Sequence, residues 1–251
     1  MKNHIYTLIT GASSGIGEAT ARLLASKGHN LLLLARRKDR LQQLCEELST
    51  QYSIAALPYA VDLNDLAAIE RFFEEIKEFN ISCILNNAGL ALGKAALQEY
   101  DWNDFNQMID TKIKAFTRVA QLSIPFLLET QGHMVNISSI AGQEAYEGGS
   151  VYCASKAYVK MISKSLRLDL AGTGVRITDI APGAVETEFS EVRFKGNATM
   201  ATAVYQGFMP LQAIDVAEAI AFALDRPAHV NIETMLIMPT AQAGATRIAR
   251  K

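Results

Sequence analysis

The first regular structure of the chain is expected in the stretch Ile5-Tyr6-Thr7-Leu8-Ile9-Thr10-Gly11-Ala12-Ser13-Ser14-Gly15-Ile16-Gly17. Residues 5–9 have the composition of a short buried strand, and residues 18–27 are typical of a helix. Glycines in a strand-to-helix turn let backbone N–H groups approach a phosphate, and the helix amino terminus adds a partial positive charge. The alternative is a purely structural turn. Because another strand-like segment follows, we favour phosphate binding.

A basic run ends the second predicted strand, 30–35, about 20 residues beyond the glycine turn. An acidic residue at this point would bind the ribose hydroxyls of NAD, whereas an arginine can hold the 2′-phosphate of NADP. Arg36 and Arg37 stand here, and Asp39 follows only after a further lysine. We therefore expect NADP, with Ser13 as an additional hydroxyl donor. The alternative is a solvated basic helix start.

Strands and helices alternate along the rest of the chain. Further strands are predicted at 54–60, 81–85, 134–137, 175–181 and 232–238. Helices are predicted at 40–49, 66–79, 100–129, 151–171 and 215–226, the last of them capped by Asp215. Such alternation predicts right-handed crossovers and one parallel sheet.

Two segments depart from this alternation. Residues 184–211 hold aromatic and charged side chains without a regular period, which at this length is typical of a substrate lid or of disorder, and the aromatics favour a lid. The tail 241–251 is predicted to be flexible or to lie in a subunit contact. A buried helix face is expected at four apolar positions, Trp102, Phe105, Met108 and Ile109.

Composition narrows the classes of function. The chain has 251 residues, of which 49% are hydrophobic, and a formal net charge of −2, so it can build a sizeable core and gives no electrostatic reason to expect nucleic acid. Its three cysteines include no C-x-x-C pair, and their odd number argues against a disulfide framework. No stretch has the character of a membrane span or a signal segment. We expect a cytoplasmic protein, residues 1–251 forming one domain, without membrane association or a metal.

Polar groups follow several of the predicted strands. The turn Asn86-Asn87-Ala88-Gly89 follows the fourth strand, and Pro182-Gly183 follows the sixth. Asp62-Leu63 follows the third, where the carboxylate is expected either to accept from an adenine amino group or to cap the next helix. Ligands of open parallel sheets bind at these carboxyl ends.

A hydroxyl, a phenol and an ammonium lie close together after the fifth strand. Ser138 and Ser139 end that strand, and Tyr152 and Lys156 have the i, i+4 spacing that places both on one helix face. A phenol has a pKa near ~10, but a cation about 5 Å away favours the phenolate by about two pKa units. The segment therefore predicts a proton relay for a carbonyl and alcohol couple.

Taken together, these motifs resemble the short-chain dehydrogenase/reductase family over nearly the whole chain. In order, they are Thr10-Gly11-Ala12-Ser13-Ser14-Gly15-Ile16-Gly17, Asn86-Asn87-Ala88-Gly89, Ser139, Tyr152-x-x-x-Lys156 and Pro182-Gly183. The resemblance implies an α/β domain of Rossmann type with a doubly wound, seven-stranded parallel sheet, and usually a homotetramer or homodimer.

The resemblance also implies roles for individual residues. Tyr152 would protonate a carbonyl oxygen, Lys156 would lower the pKa of Tyr152 and bind the nicotinamide ribose, and Ser139 would orient the carbonyl. Ser138 resembles a structural hydroxyl, and Thr187 a contact of the carboxamide. The residues expected to bind the cofactor are Gly11, Ser13, Ser14, Gly15, Ile16, Gly17, Arg36, Arg37, Asp62, Leu63, Asn86, Tyr152, Lys156, Pro182, Gly183 and Thr187.

One position departs from the family pattern. The family has a catalytic asparagine in the long helix before the serine strand, and Lys112 takes its place, with Ala115 where a glycine is usual. That asparagine helps hold a helix kink and a water that leads protons towards the active lysine. A lysine there can donate but cannot accept a hydrogen bond, and it sets a second cation near Lys156. We expect weakened or retuned activity rather than its loss.

Three stretches, 87–93, 187–196 and 228–232, look like the NADP-dependent serine and 3-hydroxy acid dehydrogenases. The leading hypothesis is therefore an NADP-dependent oxidoreductase that acts on a small hydroxy acid or its carbonyl partner. Under this hypothesis, Arg193 or Lys195 either binds the carboxylate of the hydroxy acid or is a solvated charge on the lid. The alternatives are a broad reductase of aldehydes, ketones or acyl groups, and a weakly active or non-catalytic NADP-binding protein.

Overall fold

Parallel strands form the centre of the molecule, which we describe from a computed structural model for residues 4–251. In this part of the chain the strands are β1 (Ile5–Thr10), β2 (Asn30–Ala35), β3 (Ala56–Ala60), β4 (Asn80–Asn86), β5 (His133–Ile137), β6 (Arg176–Pro182), β7 (Val185–Glu186), β8 (Leu211–Gln212) and β9 (Thr234–Ile237). The short strands β7 and β8 pair with each other, and the remaining seven form the main sheet.

The main sheet has the strand order β3-β2-β1-β4-β5-β6-β9, and every neighbouring pair is parallel. The chain runs from β1 outwards to β3 and then returns to the other side of β1 for β4. Right-handed crossovers in both directions place helices on both faces of such a sheet. The predicted doubly wound, seven-stranded α/β fold of Rossmann type is therefore confirmed.

Helices cover both faces of the sheet. Their bounds are α1 (Gly15–Ser26), α2 (Lys38–Tyr52), α3 (Leu66–Glu75), α4 (Trp102–Ile109), α5 (Phe116–Thr130), α6 (Ser150–Asp169), α7 (Phe189–Arg193), α8 (Ala198–Ala203) and α9 (Ala213–Leu224). One hydrophobic core contains side chains of α1, α2 and α9, and the other contains side chains of α3 and α5. No helix within residues 4–251 has both the length and the apolar character needed to cross a membrane.

Strand β2 shows how a run of leucines serves two cores. Leu31 and Leu33 point into the core under α1 and α2, while Leu32 and Leu34 point into the core under α3 and α5. All four side chains are fully buried. Because each buried leucine contributes about 1.5–3 kcal/mol, this uninterrupted apolar strand stabilises both layers at once.

The segment predicted as one or two helices at 100–129 consists of α4 and α5 joined by a π-helical turn, Asp110–Ala115. Met108 is buried as expected, but Trp102 is 68% exposed, so its predicted burial is wrong. Trp102 is the first residue of α4, and its ring stacks on that of Phe105 at 4.5 Å rather than entering the core.

The segment 184–211, called the lid segment below, is more ordered than its composition predicted. It contains β7, α7, α8 and the first residue of β8, and the β7–β8 pair joins its two ends. The tail packs on it, because the N–H of Lys251 donates to the carbonyl of Gly207 at 2.8 Å. The following helix, α9, is capped by Gln212 rather than by Asp215, whose carboxylate instead accepts the Gln212 N–H at 2.7 Å in a capping box.

Candidate active site

A cavity of about 910 Å³ opens at the carboxyl ends of the parallel strands. Residues at or just beyond the ends of β1, β2, β4, β5 and β6 line it, namely Gly11, Ala35, Asn87, Ile137 and Pro182. The lid segment and the tail contribute further lining residues, among them Thr187, Arg193 and Ile248. This is the edge at which open parallel sheets bind ligands, and the volume lies within the usual range of ligand pockets.

The glycine turn forms one wall of this cavity. Gly11 and Gly15 have φ angles of +68° and +56°, in the left-handed region that glycine adopts without steric cost. A Cβ on Gly17 would lie 2.3 Å from the carbonyl oxygen of Gly11, so a side chain has no room there. Ser14 is the N-cap of α1 but makes no side-chain hydrogen bond to the helix, which leaves the first N–H groups of α1 available to an anion.

The asparagine turn after β4 is fixed to the glycine turn. The side-chain amide of Asn87 donates to the carbonyl of Thr10 at 2.9 Å, and the Thr10 hydroxyl accepts the N–H groups of Asn87 and Ala88 at 3.0 Å each. Asn86, the predicted cofactor contact, is buried and donates to the carbonyl of Phe116 at 3.0 Å. The structure thus places Asn87 at the cavity, and Asn86 ties β4 to the start of α5.

Basic residues collect at the end of β2. Arg37 donates to the hydroxyl and the carbonyl oxygen of Ser13, both at 3.1 Å, and to Glu188 of the lid segment at 2.8 Å. Arg40 reaches the other carboxylate oxygen of Glu188 at 2.6 Å. The hydrogen bond from Arg40, and then that from Arg37, hold the pKa of Glu188 below its usual value. Arg36 is exposed and also lines the cavity.

Neither Arg40 nor Glu188 was identified from the sequence. The closeness of the two arginines in sequence was an available signal, since Arg37 is the N-cap of α2 and Arg40 lies in its first turn. Glu188 gave no such signal, because it comes close to Arg37 only through folding of the lid segment.

Asp62 and Leu63 line the cavity after β3, in the place expected of them. The Asp62 carboxylate accepts the N–H of Asn64 at 3.0 Å, in a local turn. The N-cap of α3 is Asp65, which accepts the N–H of Ala68 at 3.0 Å. The alternative in which Asp62 caps the helix is therefore wrong, while its contact with an adenine remains a prediction.

The predicted contacts after β6 also lie at the cavity. Pro182, Gly183 and Thr187 line it, and the side chain of Thr187 lies 3.4 Å from where a Cβ on Gly15 would stand. The N–H of Gly183 donates to the carbonyl of Ile237 at 2.7 Å, which holds this turn to the neighbouring strand β9. Thr187 therefore faces the glycine turn from the lid segment.

Ser139, Tyr152 and Lys156 meet on one side of the cavity. The Ser139 hydroxyl accepts the N–H of Ala141 at 3.1 Å and donates to the carbonyl of Pro182 at 3.2 Å. Lys156 donates to the carbonyl of Ile137, the last residue of β5, at 2.7 Å. Ser138 is buried behind them and lines the same cavity.

Burial controls the proton affinities of these groups. It raises the pKa of Tyr152 above its ordinary value. The interaction with Ser139 and the charge of Arg193 act in the opposite direction and lower this pKa. Burial lowers the pKa of Lys156 to about 8, although the negative charge of Asp179 raises it. Removal from water disfavours the phenolate, so the pKa of Tyr152 moves in the direction opposite to that expected from Lys156.

Lys112 reaches the same group of side chains from the π-helical turn. Its amine is 4.9 Å from the ring centroid of Tyr152, and the side chain is 3% exposed. Burial, and then the neighbouring charge of Lys156, lower the pKa of Lys112 well below its ordinary value. The expectation that this lysine donates but does not accept a hydrogen bond stays a prediction. The π-helical turn preserves a helix bulge without the asparagine.

The two lid cations considered from the sequence have different positions. Lys195 forms an ion pair with Asp104 at 2.9 Å. Arg193 lines the cavity, donates to the Tyr146 hydroxyl at 3.0 Å and to the carbonyl of Gly93 at 3.2 Å, and lies 5.5 Å from the ring centroid of Tyr152. Arg193 is thus the cation that faces the predicted catalytic residues.

Known proteins with a similar sequence and fold are described as dehydrogenases or reductases. A family model described as short chain dehydrogenase matches residues 6–198. The chain is 45% identical over 240 residues to sulfoacetaldehyde reductase 2 of Chromohalobacter salexigens, with 94% of each chain covered. It is 43% identical over 242 residues to the NADP-dependent 3-hydroxy acid dehydrogenase YdfG of Escherichia coli, covering 95% of this chain and 96% of the relative. A structure described as the closed form of serine dehydrogenase complexed with NADP+ superposes with a TM-score of 0.90 at 40% identity, over 98% of this chain and 99% of that one.

The crowding at Gly17 generates a prediction. Gly17→Ala forces the turn apart, because its Cβ would clash with the backbone of Gly11. We expect the dissociation constant for NADPH, measured by fluorescence titration, to rise at least about tenfold, the equivalent of one lost hydrogen bond to a charged group.

Gly28→Ala is the matched control, since Gly28 has a φ of +85° but no neighbour within 4 Å of the position that an added methyl group would take. It should lower the free energy of unfolding by about 1 kcal/mol and leave the dissociation constant unchanged. Equal dissociation constants for the two variants would contradict the assignment of the glycine turn as a phosphate-binding site.

Proposed function

The chain belongs to the short-chain dehydrogenase family, and we propose that it is an NADP-dependent oxidoreductase that moves a hydride between the nicotinamide and a small hydroxy acid or its carbonyl partner. The observation that supports this best is the convergence of Ser139, Tyr152 and Lys156 in the cavity that is also lined by the glycine turn and Arg37. A proton donor, its hydroxyl partner and a cation then stand beside a phosphate-binding wall.

The fit of NADP rests on two features of the cavity. The glycine turn leaves the amino terminus of α1 open to a pyrophosphate. Arg37 and Arg40 meet at a single anionic acceptor, Glu188, so both guanidinium groups can also converge on the 2′-phosphate, beside Ser13. A cofactor without that phosphate lacks this contact, which favours NADP over NAD.

The residues of the chain manage the proton of the reaction, while the nicotinamide, when bound, supplies or accepts the hydride. Tyr152 keeps its proton at neutral pH because burial raises its pKa, and it can donate this proton to a carbonyl oxygen. Ser139, which lines the cavity together with Tyr152, orients that oxygen. Lys156, tied to Ile137, places a positive charge near the phenolate that forms.

The proposed class of substrate follows from Arg193. Its hydrogen-bond partners Tyr146 and Gly93 are neutral, and no ion pair within 4.0 Å among residues 4–251 includes it. A partly buried guanidinium beside the proton donor suits a substrate that carries an acidic group near its carbonyl. The names of the related proteins include substrates of this kind, namely 3-hydroxy acids, serine and sulfoacetaldehyde.

We further propose that the enzyme is a cytoplasmic homotetramer or homodimer. Cys45, Cys83 and Cys153 are buried free thiols, which suits a reducing compartment. Helix α6 exposes Met161 and Leu168 by 63% and 74%, and apolar side chains of this size are commonly covered by a second subunit.

Turnover with both cofactors tests the proposed function. Purified protein should oxidise NADPH with semialdehydes or keto acids and reduce NADP with hydroxy acids, with a kcat/KM at least tenfold higher than with NADH or NAD. Tyr152→Phe should lower kcat by about 10²–10⁴-fold, because it removes the proton donor.

Tyr158→Phe controls for the loss of a phenol from the same helix, since Tyr158 is hydrogen-bonded to Thr117 and does not line the cavity. It should retain kcat within about twofold, far less than the loss of about 10²–10⁴-fold expected for Tyr152→Phe. Tight NADPH binding without turnover on any hydroxy acid or carbonyl would instead indicate a non-catalytic NADP-binding protein, and a preference for NAD would refute the role of Arg37.

Arg193→Met tests the acidic substrate. Loss of a charge-assisted hydrogen bond of about 1.5–3 kcal/mol should raise KM for a hydroxy acid by about 10- to 150-fold. The KM for a neutral aldehyde should be unchanged. Lys195→Met is the control, because Lys195 is held by Asp104 outside the cavity, and it should leave both values as they are. Equal effects of Arg193→Met on acidic and neutral substrates would show that Arg193 does not bind the acid.

A further inference from the structure

A carboxylate of the lid segment binds the arginines at the end of β2. One oxygen of Glu188 accepts from Arg37 at 2.8 Å, and the other accepts from Arg40 at 2.6 Å. A carboxylate that joins two guanidinium groups in this way uses its oxygens as a phosphate does. The negative charge that suits these two arginines is therefore already present within the chain.

Glu188 reaches the arginines through the fold and not through closeness in sequence. It precedes them in space as the N-cap of α7, whereas Arg37 and Arg40 stand at the N-cap and in the first turn of α2. The two contacts join residues that are 151 and 148 positions apart. Because Thr187 faces the glycine turn, the residue that follows it is carried to the edge of the cavity.

The two ion pairs can form and break readily. The side chains of Arg37, Arg40 and Glu188 are 40%, 54% and 39% exposed. Ion pairs with this exposure are weak, because water competes for both partners. Glu188 is nevertheless charged, since the hydrogen bonds from Arg40 and Arg37 hold its pKa below the usual value. A stronger anion can therefore exchange with this carboxylate.

The wall keeps two guanidinium groups in place when Glu188 leaves it. Arg37 also donates to the hydroxyl and the carbonyl oxygen of Ser13, both at 3.1 Å, so its position does not depend on Glu188. Arg36 is exposed and lines the cavity, and within the described residues 4–251 it takes part in no ion pair shorter than 4.0 Å. A phosphate thus finds one fixed and one unpaired cation beside Ser13.

Glu188 and a 2′-phosphate cannot share the two arginines without cost. A phosphate monoester carries nearly two negative charges at neutral pH, and like charges at ion-pair distance disfavour each other. A cofactor without the 2′-phosphate brings no such charge and leaves both ion pairs of Glu188 intact. The carboxylate therefore opposes only the phosphorylated cofactor.

On the basis of the proposed function, we propose that Glu188 is a specificity-determining residue that competes with the 2′-phosphate. Its carboxylate binds Arg37 and Arg40 in the empty enzyme and leaves them when NADP binds. The preference for NADP over NAD is then smaller than the arginines alone would give, and Glu188 sets its size.

Calorimetric titration with adenosine 2′,5′-bisphosphate tests the competition without nicotinamide or substrate. Adenosine 5′-monophosphate, which lacks the 2′-phosphate, is the reference ligand. Glu188→Gln keeps the shape of the side chain and removes its charge. We expect it to lower the Kd for the bisphosphate by about 3- to 10-fold, the effect of losing two exposed ion pairs, and to leave the Kd for the monophosphate within about twofold of the wild type.

Glu191→Gln is the matched control, because it removes the same charge from the same helix. The Glu191 side chain is exposed and does not line the cavity. Its variant should bind both ligands as the wild type does. Equal gains in Glu191→Gln and Glu188→Gln would overturn the inference, since general charge repulsion would then suffice. Weaker binding of the bisphosphate by Glu188→Gln would also overturn it, by showing that Glu188 orders the arginines for the phosphate.

The wild type separates this inference from the proposed function. Equal Kd values for the bisphosphate and the monophosphate would overturn the preference for NADP itself. Tighter binding of the bisphosphate by the wild type, with no change in Glu188→Gln, would overturn the inference alone.

A crystal structure with the bisphosphate bound gives the second readout. The Glu188 carboxylate should then lie beyond the ion-pair distance of about 4 Å from both Arg37 and Arg40. A bound 2′-phosphate with Glu188 still paired to both arginines would overturn the competition.

Discussion

The hydrogen bond from the Lys156 ammonium to the carbonyl of Ile137 is the contact on which the rest of the site depends. It joins helix α6 to the end of β5, an inner strand of the sheet. Tyr152 stands one helical turn before Lys156, and Ser139 follows Ile137 by two residues, so one 2.7 Å contact sets the relative positions of three functional side chains. Rigid elements, rather than loops, thus hold the proton donor in place.

Removal from water then shifts the proton affinities of these groups. The same burial raises the pKa of Tyr152, lowers that of Lys156 to about 8, and lowers that of Lys112 well below its ordinary value. A phenol that keeps its proton can donate it to a carbonyl oxygen, and the Lys156 ammonium stabilises the phenolate that forms.

Local patterns were sufficient to predict the sheet and the order of the site residues. The leucine run of β2, the glycine turn and the Tyr152–Lys156 spacing each depend on neighbours in sequence. Properties set by distant neighbours could not be predicted. The exposure of Trp102 depends on where α4 begins relative to the core. The position of Asn87 rather than Asn86 at the cavity depends on which side of β4 faces it, and the burial of Lys112 depends on the packing of Gly89 and Tyr152 around it.

Burial lowers the pKa of Lys156 to about 8, so its ammonium is charged at neutral pH beside the phenolate that Tyr152 forms. NMR titration of the full chain with isotope-labelled lysine, with the signal assigned by Lys156→Met, measures this amine directly. We expect Lys156 to titrate near 8. Titration of Lys156 near ~10.4, the value of a lysine in water, would contradict this account of the site.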